Sequence, residues 1–200
     1  MERQSRYRQI VCGVDEAGRG PWAGPVVVAA VILDRARPID GLDDSKKLSE
    51  ARREALFGEI MASAWVSTAV VGCKRIETMN IRGASLYGMT QAIHGLALRP
   101  TLALVDGNAL PPGCTVKARA LVGGDGRSAS IAAASIVAKV TRDRMMVRLS
   151  RCCPGYGFEA HKGYGTAQHR EALDRLGPTI HHRRGFAPIR ALLAGALAAE

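Results

Sequence analysis

The sequence predicts an α/β domain built on a mixed sheet, and three observations carry that expectation. Two apolar, β-branched runs, Arg8 to Val14 and Pro25 to Leu33, are separated only by glycine-rich turn chemistry at Gly18 to Gly24, the pattern of a hairpin-like start. Helical-period and strand-like segments then alternate. Glycine and proline fall between these segments, with no repeat, linker or low-complexity tract, so residues 1–200 are expected to form one domain.

Each element has its own local signal. In DDSKKLSEARREALFGEIMASA, Ser49 is placed to N-cap a helix whose Leu56, Ile60 and Met61 share a face while Arg52, Arg53, Glu54 and Glu59 stay wet. A strand, WVSTAVVGC, follows. Ile76 to Leu98 has helical periodicity, with Gly83, Gly88 and Gly95 as its weak points. TLALVDG reads as a short buried strand and the alternating TVKARAL as another. ASIAAASIVAKVTRDRMMVRL is a long alanine-rich helix whose small residues permit close approach to the sheet. After the Gly/Tyr-rich PGYGFEAHKGYGT come the helix AQHREALDRL and a helical tail, APIRALLAGALAAE, so a helical C-terminal extension runs from about residue 166.

Composition narrows the function classes. The longest aliphatic run, VVVAAVIL, is far short of the roughly 20 residues a membrane helix needs, and MERQSRYRQIVCG has neither the apolar region nor the cleavage site of a secretory signal. The cytoplasm is the expected compartment. Cys12, Cys73, Cys114, Cys152 and Cys153 form no C-x-x-C pair, which argues for reduced thiols over zinc or a disulfide framework. Lys and Arg exceed Asp and Glu by 28 to 18, giving +10, a balance suited to a phosphate backbone or simply to a solvated basic face.

Against that excess, the carboxylates stand out by position. Asp15 follows the apolar IVCGV and Asp106 follows LALV, so each emerges at the carboxyl end of a buried strand, where an unpaired charge is costly. Carboxylates gathered from different strands suit Mg²⁺ or Mn²⁺, which prefer hard oxygen ligands. Asp125, between Gly124 and Gly126, either caps the alanine-rich helix or faces the same cleft. Glu16 poses a geometric problem, because neighbours on a regular strand point to opposite faces. The expected solution is that the strand ends or bulges there, letting both side chains reach one region. Singly, each aspartate beside a glycine is more simply a turn or cap residue.

Other chemistries fit poorly. Gly18, Gly20 and Gly24 have the wrong spacing for a dinucleotide fingerprint, Pro21 interrupts them, and a strand follows where that fingerprint needs a helix. No Walker A sequence occurs, and Ser135 lacks a nucleophile-elbow context.

VDEAGRGPWAGPVV, DDSKKLS, ALVDGN, GDGRSASIAAASIVAKVTRDR and GFEAHKGYGT, in this order, make the chain closely resemble bacterial type 2 ribonuclease H, ribonuclease HII, from about Val11 to Pro188. The resemblance implies a ribonuclease H-like fold, with a mixed five-stranded sheet flanked by helices and a C-terminal helical extension. It implies endonucleolytic cleavage of RNA in RNA/DNA hybrids and at single ribonucleotides in duplex DNA, by two-metal hydrolysis with Mg²⁺ or Mn²⁺ that leaves 3′-hydroxyl and 5′-phosphate ends. Its four acidic metal-site positions fall on Asp15, Glu16, Asp106 and Asp125. Its GRG motif falls on Gly18, Arg19 and Gly20, which would read the sugar at the RNA-to-DNA junction, where close backbone approach and the 2′-OH distinguish RNA from DNA. Tyr164 matches its HKGY tyrosine and would stack on a sugar or base, and Lys46 matches a position near substrate phosphate.

His161 and Lys162 are expected as mobile groups at the cleft edge, with His161 outside the metal set. Relatives often carry lysine at Gly123 and Ala-Lys at Gly126 and Arg127, so the Asp125 loop departs from the family pattern. A metal-dependent DNA nuclease or resolvase, or a basic nucleic-acid-binding module without catalysis, are the rival readings. Nothing in the sequence demands more than a monomer.

Overall fold

The computed structural model describes residues 9–197. Its centre is a mixed five-stranded sheet in the order β3-β2-β1-β4-β5, formed by β1 (Val11–Ala17), β2 (Val26–Ile32), β3 (Trp65–Val71), β4 (Leu102–Asp106) and β5 (Lys117–Leu121). β1 and β2 pair antiparallel, as do β2 and β3, whereas β1, β4 and β5 run parallel. This is the mixed five-stranded sheet flanked by helices that the sequence leads one to expect. The strand β2, VVVAAVI, is buried at every position because helices cover both faces of the sheet there.

On one face lies α3 (Ala129–Cys152), with α1 (Glu50–Ser63) beside it; Ala29, Val31, Leu56, Ile60 and the alanine-rich stretch of α3 form that core layer. The closeness of α3 depends on Gly13, since a Cβ there would lie 2.0 Å from the backbone carbon of Ser130. On the other face lies α2 (Cys73–His94), packed on Cys12, Val14, Val26, Val28 and Ala30. A third cluster joins Ala23 and Met146 to α4 (Phe158–His161), α5 (Ala167–Leu176) and α6 (Ala187–Leu197), so the C-terminal helices pack behind the loop that connects β1 to β2.

Several expected elements differ in detail. β1 begins three residues later than expected and runs on through Asp15 and Glu16; Arg8 lies outside the described residues. Ser49 caps α1 as anticipated, accepting from the Arg52 N–H, but Met61 is half exposed while Leu56 and Ile60 carry the buried face. The weak point of α2 is Asn80, with φ 56° and ψ 170°, rather than one of the glycines. Its carboxamide oxygen accepts from the N–H groups of Arg82 and Gly83, both at 3.0 Å, so it caps the second half of the helix. Gly88 instead lets that half approach Val28, whose side chain a Cβ would meet at 2.6 Å.

Candidate active site

Two strand ends and one loop create the site. β1 pairs with β4 only as far as Val14 opposite Val105, while its pairing with β2 continues to Ala17 opposite Val27. The last residues of β1 therefore border a gap beyond β4, and Asp106 ends β4 at the rim of that gap. The expected end or bulge at Asp15 and Glu16 is not formed, because the register with β2 is unbroken from Gly13 to Ala17. The two side chains do point to opposite faces, Asp15 to the α3 side beside Ser135 and Glu16 to the α2 side, where it lines a cleft with Arg82, Ser85, Met89 and Asp106. Where β4 has stopped, both faces of β1 border the same gap, and Asp15 lies close enough to Glu16 and Asp106 to feel both charges.

The electrostatics agree with this convergence. Burial pushes the Asp15 carboxyl well above the usual carboxylate range, and the charges of Glu16 and Asp106 push it further. Burial also raises Glu16, opposed by Arg19 and assisted by Asp106. Asp125, in the 3-10 turn Gly124–Gly126, is raised by desolvation and by Asp44 and Asp106. Asp106 holds the Asp125 turn in place, accepting the Gly124 N–H at 2.7 Å. Ser128, not Asp125, stands at the N-terminus of α3. Lys46, exposed, lies near enough to favour the ionised forms of both Glu16 and Asp125.

One carboxylate atom is unsatisfied. Glu16 Oε1 pairs with Arg19 at 3.1 Å, but Oε2 is buried without a partner, and so is the hydroxyl of Ser85 across the same cleft. A buried oxygen with nothing to accept is costly and fits a cation binding there. Among the described residues, no three His, Cys, Asp or Glu side chains are gathered at ligand spacing.

The GRG and tyrosine segments meet at one edge of the cleft. Gly18 is buried with φ +97°, and a Cβ there would strike the Arg142 side chain at 2.0 Å, so the fold itself demands that glycine. Gly20 is different. It is exposed, and a Cβ would meet only the Tyr164 ring, at 3.5 Å. The Tyr164 ring is 45% exposed, which leaves it free to stack, while its loop is tied to the GRG side by the Trp22 N–H donating to the Gly163 carbonyl at 2.8 Å.

His161 is not a mobile group at the cleft edge. Its ring stacks on His169 at 4.5 Å, and its nitrogens pair with the Tyr156 carbonyl and the Gly163 N–H. The Lys162 ammonium donates to the Glu159 carbonyl. Arg127, in the divergent loop, donates to the Val122 carbonyl at 3.3 Å. Arg82 and Ser85 also line the cleft without any local sequence signal, in the turn of α2 that follows the break at Asn80. All five cysteines are free thiols, and no described helix is long and apolar enough to cross a membrane.

Comparison with known proteins identifies the family and the fold. The family model described as Ribonuclease HII matches residues 12–188. Proteins named Ribonuclease HII include one from Burkholderia thailandensis, 58% identical over 91% of this chain and 85% of its own length. Another, from Jannaschia sp., is 55% identical over 93% of this chain and 94% of its own length. Among solved structures, ribonuclease H2 from Pyrococcus horikoshii superposes with a TM-score of 0.79 at 26% identity, covering 92% of this chain and 97% of that one.

Proposed function

The chain belongs to the ribonuclease HII family, and from that premise we propose how its residues divide the work on a ribonucleotide-containing duplex. It is a metal-dependent endoribonuclease acting on RNA/DNA hybrids. Asp15, Glu16, Asp106 and Asp125 hold two divalent ions, with Mg²⁺ or Mn²⁺ as the candidates because all four donors are hard oxygens. The observation that carries this assignment is the partnerless, buried Oε2 of Glu16 in a cleft shared with Asp106. Bound there, the ions would activate water for in-line attack and neutralise the departing oxygen, leaving a 3′-hydroxyl and a 5′-phosphate.

The protein's own groups supply selection and orientation. The backbone at Gly18, Arg19 and Gly20 meets the ribose, since Gly20 is open where a side chain would stand between backbone and sugar. Tyr164 stacks on the adjoining sugar or base, and Lys46 contacts phosphate. Single ribonucleotides embedded in DNA are substrates alongside hybrids, because a reader this small spans one sugar. A monomer working in the cytoplasm completes the proposal.

The test is incubation with a duplex carrying one ribonucleotide, beside an RNA/DNA hybrid and an all-DNA duplex, in Mg²⁺, Mn²⁺ or EDTA. Cleavage of the first two only, with metal only, and 5′-phosphate ends are expected. Equal cutting of all-DNA duplex would indicate a DNA nuclease, and a 2′,3′-cyclic phosphate would overturn the hydrolytic mechanism.

A further inference from the structure

Two arginines are among the most deeply buried side chains of the protein. Arg183 is 0% exposed and Arg142 is 1% exposed, and among the described residues neither forms an ion pair with a carboxylate. Burying a cation without a counter-ion is expensive unless its donors are satisfied, and apolar residues of similar volume would ordinarily hold a loop as well. The arrangement calls for another explanation.

All their side-chain bonds to the backbone converge on one loop. Arg183 donates from Nη2 to the Gly18 carbonyl at 2.6 Å, from Nη1 to the Arg19 carbonyl at 2.9 Å, and from Nε to the Gly24 carbonyl at 3.0 Å. A further bond from Nη2 reaches Pro25 at 3.2 Å. Arg142 donates to the carbonyls of Pro25 at 2.9 Å and Ala23 at 3.1 Å, and its stem fills the space that a Gly18 side chain would need. Burial holds the Arg183 guanidinium down at about 10, still charged at neutral pH. Its planar fork spans carbonyls that a lysine ammonium, a point charge with three donors, cannot bridge together.

Peptide geometry turns this clamp into an orientation device. In a trans peptide the C=O and the following N–H point in opposite directions, and no peptide bond of the described chain is cis. With the Gly18 and Arg19 carbonyls drawn inward to Arg183, the N–H groups of Arg19 and Gly20 must point outward, on the exposed side of the loop where Tyr164 stands. Among the described residues neither N–H donates to another protein group.

We propose that Arg183, braced by Arg142, is a positioning residue for ribose recognition, fixing the two peptide planes that present the Arg19 and Gly20 N–H groups to the sugar hydroxyl. This rests on the assignment of Gly18 to Gly20 as the ribose reader. The guanidinium touches no substrate. It acts by keeping two donors aimed before substrate arrives, which spares the binding step the cost of ordering them.

The experiment measures duplex affinity in an Asp106→Asn background, where cleavage is silenced, comparing a duplex with one ribonucleotide against the same all-DNA sequence. Arg183→Lys keeps the charge and loses the fork. Its ratio of the two affinities is expected to fall about tenfold, assayed well below its thermal midpoint, while all-DNA binding is unchanged. A shifted midpoint with an unchanged ratio would overturn the proposal, leaving Arg183 a structural clamp only. Gly20→Ala, which the fold accommodates, separates the two levels. If it leaves the ratio intact, the ribose-reader assignment fails; if it lowers the ratio while Arg183→Lys does not, only the positioning role fails. Should Arg183→Lys not fold, Arg142→Lys is read by the same ratio, and an unchanged value would again overturn the proposal.

Discussion

The ring nitrogens Nε2 of His169 and His182 face each other at 3.1 Å, both side chains fully buried. Their other nitrogens set the direction of the proton between them. His182 Nδ1 receives the Thr179 N–H at 2.9 Å and so must be an acceptor, which leaves the proton on Nε2, donated to His169. His169 then carries its own proton on Nδ1, donated to the Tyr164 carbonyl at 2.9 Å. Neither ring can gain a second proton without setting two donors against each other. Burial, then the neighbouring His169, holds His182 down to about 4, and burial lowers His169 as well.

Acid sensitivity follows from that pair. In the unfolded chain His182 titrates near 6.5, so above that value it is neutral in both states and contributes no pH dependence. Between pH 6.5 and 4 the unfolded state takes up the proton first, and stability is lost progressively, about 3 kcal/mol by the bottom of the window. Urea unfolding across this range should show the decline. His182→Gln should flatten it, although less stable overall, and an unchanged slope would count against the proton chain.

Burial of the Asp15 carboxyl opposes stability once it is ionised. That carboxyl is raised by burial first and then by Glu16 and Asp106, so the folded protein favours the neutral form. A group raised in this way contributes stability at low pH that disappears as pH rises through its folded value. Asp15→Asn should therefore raise the metal-free thermal midpoint at pH 8, with a smaller gain at pH 5. Turnover should fall on the order of a thousandfold, about 4 kcal/mol of transition-state stabilisation. Mg²⁺ or Mn²⁺ should raise the wild-type midpoint more than that of the variant, since ligand binding to the native state stabilises it. Equal shifts would remove Asp15 from the metal set.

Gly13 and Gly20 make opposite predictions from the same substitution. Alanine at Gly13 drives a Cβ into the backbone of Ser130 and Ile131, at 2.0 and 2.2 Å, where strand and helix must both move. The cost should reach about 3 kcal/mol, the upper range for overpacking. Alanine at Gly20 meets only an aromatic edge at ordinary contact distance, and chemical denaturation should register less than about 0.5 kcal/mol while ribose preference falls.

The contrast shows what the sequence can and cannot convey. Asp15 and Asp106 stood out because a charge closing an apolar run is locally anomalous, although only Asp106 ends its strand and β1 continues past Asp15 to Ala17. The sequence pointed to a strand end or bulge as the means by which Asp15 and Glu16 reach one region, whereas their approach depends on where β4 stops beside β1, a relation between strands that no local pattern encodes. Arg142 and Arg183 were invisible for a related reason. In a chain of net charge +10 a basic residue in HHRRG suggests solvent, and only the tertiary fold brings it under loop 18–25. Asn80 was passed over because glycine is the usual marker of a break.

Asn80 supports one further prediction, linking helix geometry to the cleft. At φ 56° and ψ 170° it occupies a region that side chains enter at a cost of order 1 to 3 kcal/mol, tolerated here because its carboxamide caps the N–H groups of Arg82 and Gly83. Asn80→Gly relieves the strain as it removes the cap, so stability should change by less than about 1 kcal/mol. Asn80→Ala keeps the strain and loses the cap, and should cost about 1 to 2 kcal/mol. Because Arg82 and Ser85 line the cleft with Glu16 and Asp106, the alanine variant should also lose turnover beyond its loss of folded protein. Activity measured per folded molecule in the two variants checks this. Equal specific activities would show that the break in α2 shapes the helix but not the site.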